Sequence, residues 1–145
     1  MPSKSAIVEF LSHRSLVLLR PSRSVSVRGL GIDEQLGSIG YTISVAYLDD
    51  PELSVNLKAL ANATEGAILA VPAPRAEQAA KAVLDAGITR VWLQNGCESK
   101  EAVALCEARG APAIHGACVL MYAEPVKSFH AFHRWLWKTF GLLAK

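Results

Sequence analysis

The sequence predicts an α/β domain: a doubly wound parallel sheet of about five strands with helices on both faces, followed by a C-terminal aromatic-rich helix. Two observations carry this. Short apolar runs recur at residues 15–19, 42–48, 66–71, 90–93 and 113–114, and runs that are continuous rather than alternating mark strands buried on both faces, as in parallel sheets. Between most of them lie stretches of helical composition, and strands alternating with helices at this spacing imply right-handed crossovers.

Residues 5–12 open the chain with Ile7, Val8, Phe10 and Leu11 at spacings that share one helical face. The run at 15–19 (Ser-Leu-Val-Leu-Leu) is the first buried strand, and Arg20-Pro21-Ser22-Arg23 turns the chain away from it. Glycines crowd the stretch up to Gly37, so a helix is predicted only for residues 33–38. Residues 42–48 are β-branched and aromatic, a second strand stopped by Asp49-Asp50-Pro51. Residues 53–62 are ambiguous between a short helix and a loop. Residues 66–71 are the third strand, closed by Pro72. Pro74 suits the first turn of a helix over 75–86, and Gly87 stands where a helix C-terminus favours positive φ. A fourth strand at 90–93, a helix at 99–108 stopped by Gly110, and a short fifth strand from Ala113 complete the alternation. Ser128 is a candidate N-cap for an aromatic-rich helix over about 128–143.

Length and composition agree with one domain over residues 1–145: half the residues are hydrophobic (51%), enough for a sizeable core. A net charge of +2 gives no concentrated basic face, so nucleic acid is not an expected partner. Three cysteines, Cys97, Cys106 and Cys118, lack paired spacing and argue against both a disulfide framework and a structural zinc site. No run approaches the ~18–20 apolar residues of a membrane span, and no signal peptide is recognisable. A cytoplasmic protein is expected.

In an open parallel sheet, ligands bind beyond the carboxyl ends of the strands, where loop amides and helix N-termini converge. That places the candidate site at residues 20–23, 47–50, 72–74, 94–97 and 115–118. The segment Gly66-Ala-Ile-Leu-Ala-Val-Pro-Ala-Pro, a helix, and then Ala86-Gly-Ile-Thr-Arg-Val-Trp-Leu-Gln-Asn-Gly resembles the CoA-binding-domain family, stand-alone relatives of the nucleotide-binding domain of the succinyl-CoA ligase α subunit. Residues 99–110, Cys118 and the tail from Glu124 to Gly141 fit the same pattern. The resemblance implies a Rossmann-like fold and CoA, or a related adenine nucleotide, as ligand. It also implies contacts from Arg20, Ser22, Arg23, Tyr47, Val71, Pro72, Ala73, Gln94 and Gly96. Val71, Pro72 and Ala73 would pack against the adenosine and pantetheine parts, Ser22 and Arg23 would lie near the pyrophosphate, and Gln94 and Gly96 would border the pantetheine arm.

Two places depart from the family pattern. The turn after the first strand reads Arg20-Pro21-Ser22 where relatives carry glycine, and a proline ring both blocks close approach to an anion and removes a donor. The second strand ends in Tyr47-Leu48-Asp49-Asp50, whose carboxylates would repel phosphates. Arg20, Arg23 and Arg28 offer charge-assisted side-chain bonds in place of the backbone amides.

Gly29-Leu-Gly31 with Asp49 or Asp50 ~20 residues on suggests a dinucleotide fingerprint, but Glu34 stands where its third glycine belongs. His130 and His133 share a helical face without further metal ligands among their neighbours, so no metal site is expected. His115 and Cys118 lie three apart, without an orienting third group. No catalytic constellation is identified. Two functions stay open here: a non-catalytic CoA or acyl-CoA binding protein, or a degenerate scaffold that has lost nucleotide and acts through protein contacts. The aromatic C-terminal helix is a candidate for burial against a second copy of the chain, which is preferred to a membrane-surface role.

Overall fold

The computed structural model describes residues 4–22, 32–94, 97–117 and 119. The elements run α1 (Lys4–Leu11), β1 (Ser15–Arg20), α2 (Ile32–Ser38), β2 (Thr42–Tyr47), α3 (Leu53–Ala61), β3 (Gly66–Leu69), a 3₁₀ turn (Ala73–Arg75), α4 (Ala76–Asp85), β4 (Val91–Gln94), α5 (Lys100–Ala108) and β5 (Ile114–Ala117). All five strands pair in parallel in the order β2-β1-β3-β4-β5. The chain winds outward from β1 in one direction to β2 and in the other through β3, β4 and β5. The direction reverses between β1 and β3, the topological switch point of a doubly wound sheet.

The period-2 alternation of strand side chains divides the core into two layers. Val17, Leu19, Ala67, Leu69, Val91 and Leu93 face α3, α4 and α5, while Leu16, Leu18, Ile68, Trp92 and Ile114 face α1 and α2. Residues 17–19 and 67–69 have no exposed surface at all, which is why their sequence is apolar without alternation. On the α1 side the Phe10 ring meets Trp92 in a tilted pair with centroids 5.3 Å apart, and the buried Tyr41 hydroxyl donates to the Leu11 carbonyl at 2.7 Å. Gly66 lies under this contact: a Cβ there would come within 3.1 Å of Leu16 and 3.2 Å of Phe10.

The ambiguous segment at 53–62 is helix α3, with Leu53 and Leu57 buried one turn apart. Its first residue has no capping side chain beside it. Asp50, three residues earlier, does the work: Oδ1 accepts from the Glu52 N–H at 2.9 Å and Oδ2 from the Asn56 amide at 2.8 Å. The expected helix over 75–86 is a 3₁₀ turn leading into α4, with Pro74 in the first turn and Gly87 following at φ +92°. Ser99 caps α5 by accepting from the Ala102 N–H at 3.0 Å. The expected C-terminal helix, with His130 and His133, lies outside the described residues, as do Arg23, Arg28, Gly29, Gly31, Gly96 and Cys118.

Candidate functional site at the carboxyl edge of the sheet

At the switch point the exits of β1 and β3 sit side by side. Pairing persists a residue beyond each strand, since the Ala70 N–H donates to Leu19 at 2.9 Å, Leu48 to Arg20 at 2.7 Å and Asp49 to Pro21 at 3.2 Å. The Pro21 turn is therefore bound to the exit of β2. Arg20 ends β1 with its side chain only 17% exposed, and its Nη2 meets Asp33 Oδ1 at 2.5 Å. Asp33 and Glu34 occupy the first turn of α2, where acidic side chains complement the helix dipole. A guanidinium carries five donors in a fixed fork, so this ion pair orients Arg20 along the edge while other donors can meet a second anion.

Of the two carboxylates that follow β2, Asp49 is exposed, and Asp50 is turned into the start of α3 through the two bonds described above. Tyr47 is half-buried at the end of β2, and Ser22 is half-buried beyond Pro21. Val71 is buried against the α4 side, Pro72 is exposed and Ala73 half-buried, with the Arg75 N–H closing their turn on the Pro72 carbonyl at 2.8 Å. These residues ring the carboxyl ends of β1, β2 and β3. Gln94 ends β4 on the same edge but is 91% buried, at 9% relative exposure, and its side-chain carbonyl accepts the Val119 N–H at 2.9 Å.

The β4 exit is tied on both sides. The Cys97 N–H donates to the Gln94 carbonyl at 2.8 Å. The Cys97 thiol is buried beside the β3 exit, and burial pushes it above its usual range although the Val71 N–H bonds toward the sulfur and draws it back; Glu98 adds to the rise. Burial also raises Cys106, with Glu107 adding to it. Burial thus disfavours the thiolate form of both cysteines. On the other side β5 bulges: Trp92 pairs Ile114 but Gln94 pairs Ala117, so three residues of β5 answer two of β4. Gly116 takes up the extra length at φ +82°, a conformation other residues rarely adopt, and its N–H is received by Glu98 Oε1 at 3.1 Å. His115 is half-buried within this bulge.

Asp33, Asp50 as a cap, Glu98 and Val119 were not singled out from sequence as contributors to this edge. Asp33 had a signal in its place at a helix start facing an arginine-rich turn, whereas the amides of Gly116 and Val119 carry none. Among the described residues no cluster of His, Cys, Asp and Glu could hold a metal, and no helix is long and apolar enough to cross a membrane.

A parallel sheet wound in both directions from β1, with Arg20 at the carboxyl end of its switch-point strand, defines a Rossmann-like α/β domain. A family model for the CoA binding domain matches residues 33–124, well over half the chain, and the chain belongs to this family. The match begins in the first turn of α2, so β1 and its glycine-free turn lie outside it. Among solved structures the chain is similar to a conserved hypothetical protein from Pyrococcus furiosus, with a TM-score of 0.56 and 22% identity over 74% of this chain and 97% of that one. It is also similar to Prb, a protein redesigned for binding (0.62, 17%, covering 83% and 89%), and to a hypothetical protein from Pyrococcus horikoshii OT3 (0.58, 16%, covering 82% and 88%). At these identities the likeness is one of fold. No curated protein matches the chain.

Proposed function

We propose that this protein binds CoA or an acyl-CoA across the carboxyl ends of its strands and performs no chemistry on it. The observation that carries the reading is membership of the CoA binding domain family, whose match spans the exits of β2, β3, β4 and β5, together with a sheet order that reverses between β1 and β3. In this reading the adenine lies beside the turn at 71–74. The pyrophosphate meets Arg20, Ser22 and Arg23, with side-chain donors in place of the amide that Pro21 lacks. Burial of Cys97 and Cys106 disfavours their thiolates, which supports binding rather than acyl transfer at these two positions.

The Arg20–Asp33 pair favours a second reading, in which the edge neutralises itself and the domain works as a scaffold through protein contacts. A thermal-shift series with CoA, acetyl-CoA, NAD and ATP separates the two. Under the first reading, CoA at ~100 times its Kd adds about 2.7 kcal/mol of stability, several degrees in Tm, and NAD adds far less. Arg20→Met lowers the CoA response. A flat series with CoA and acetyl-CoA overturns the binding reading.

A further inference from the structure

Resting on the CoA reading, we infer that Gln94 is a positioning residue: it serves the ligand by fixing the path of the β5 exit, and not by touching the ligand. The argument starts from the bulge. Because β5 carries one residue more than β4 across the Trp92 to Gln94 interval, its backbone leaves the ladder before the sheet ends. A ladder that breaks at the ligand edge leaves N–H groups without strand partners, and a buried amide without an acceptor is costly. Two amides, that of Gly116 within the bulge and that of Val119 beyond the end of β5, are received by side chains from the β4 exit, and the second of them is buried. Glu98 takes the Gly116 N–H at 3.1 Å, and Gln94 takes the Val119 N–H at 2.9 Å.

Gln94 is the buried member of this bracket, whereas Glu98 is half-buried. Its main chain also holds its own exit, through the Cys97 N–H at 2.8 Å. One residue thus joins the exits of β4 and β5 on the side of the sheet where CoA is proposed to lie. Its side-chain oxygen is already engaged and the residue is only 9% exposed, which suits a group that shapes a wall better than one that contacts a solute. Val119 itself is fully buried against the layer of Trp92 and Ile114, so the bond anchors the β5 exit in the core.

The test compares Gln94→Met, which keeps the shape and removes the acceptor, with Gln94→Glu, which restores an acceptor oxygen. The readouts are calorimetric CoA affinity and amide exchange at Val119. Gln94→Met is expected to expose the Val119 amide to exchange and weaken CoA about tenfold, the effect of one lost hydrogen bond, with Gln94→Glu recovering most of both. Should Gln94→Met fail to fold, Glu98→Ala decides, with an expected loss of about threefold in CoA affinity and faster exchange at Gly116. Weakened CoA binding with Val119 still protected would mean direct contact and overturn the inference. So would an open Val119 amide with CoA affinity unchanged, or a Gln94→Glu that recovers neither. A wild type that binds no CoA overturns the CoA reading itself, which distinguishes that failure from a failure of the bracket.

Discussion

At the amino ends of the strands the connecting segments are fastened by polar side chains near the surface that bond one another. Arg90 Nε bonds Glu9 at 2.9 Å, His13 Nδ1 lies 2.8 Å from Glu65, and the His13 Nε2 is 3.6 Å from Glu9. At the carboxyl ends the ties are of another kind. Asp50 reaches into α3, Glu98 and Gln94 receive backbone amides of the β5 exit, and only Arg20 with Asp33 forms an ion pair among the edge residues described above. The first arrangement links α1 to the sheet through solvent, where such pairs contribute little each. The second fixes the course of the loops that would border a ligand. The contrast teaches where precision is required: the amino end has only to stay closed, whereas the carboxyl end has to hold a shape.

The largest expected effect tests whether the two ends are independent. Phe10→Ala removes a ring with 2% exposure that packs on Trp92 below the amino edge, and is expected to destabilise by ~3–5 kcal/mol in denaturant titration. At a temperature where the variant remains folded its CoA affinity should equal that of the wild type, and a shift in affinity would break the separation. Ser99→Ala acts at the opposite end. Losing the N-cap of α5 is expected to cost ~1 kcal/mol in chemical denaturation and, because Ser99 adjoins the β4 exit, to weaken CoA slightly.

The smallest effect is electrostatic. The hydrogen bond from Arg90 holds Glu9 below its ordinary carboxylate range, and that from His13 does the same for Glu65. A carboxyl whose folded pKa is depressed stabilises the native state above its unfolded value, here 4.5, and ceases to as pH falls through the folded value. Stability followed by circular dichroism should therefore decline below about pH 4.5, and Glu9→Gln with Glu65→Gln should flatten that slope. An unchanged slope would show that the amino-edge pairs contribute nothing measurable.

The strands were readable because burial on both faces leaves no room for polar residues, so residues 15–19 and 66–71 announce themselves. The strand over 66–71 ends earlier in the fold, at Leu69: one further bond, from the Ala70 N–H to Leu19, closes the pairing with β1, while the apolar character continues through the buried Val71. Helix α3 was ambiguous for a definite reason. Only Leu53 and Leu57 of its nine residues are buried, and its cap lies outside the usual position. At the site, the place of Arg20 followed from the end of an apolar run, but its pairing with Asp33 spans 13 residues and depends on how the intervening chain returns. Gln94 was placed correctly at the end of β4. The direction of its side chain was not readable, because its partner is a main-chain amide 25 residues away, and every residue except proline has one.

The place of β1 between β2 and β3 has a consequence for how the molecule comes together. Its apolar stretch needs β2 on one side and β3 on the other, and the second partner begins only at Gly66, with α2, β2 and α3 in between. Until that stretch of chain has been made and has closed on it, Leu16, Val17, Leu18 and Leu19 have an open flank that any other extended segment could take. Distant pairing of this sort slows folding and exposes sticky intermediates. Assembly of this domain thus hinges on the arrival of its third strand.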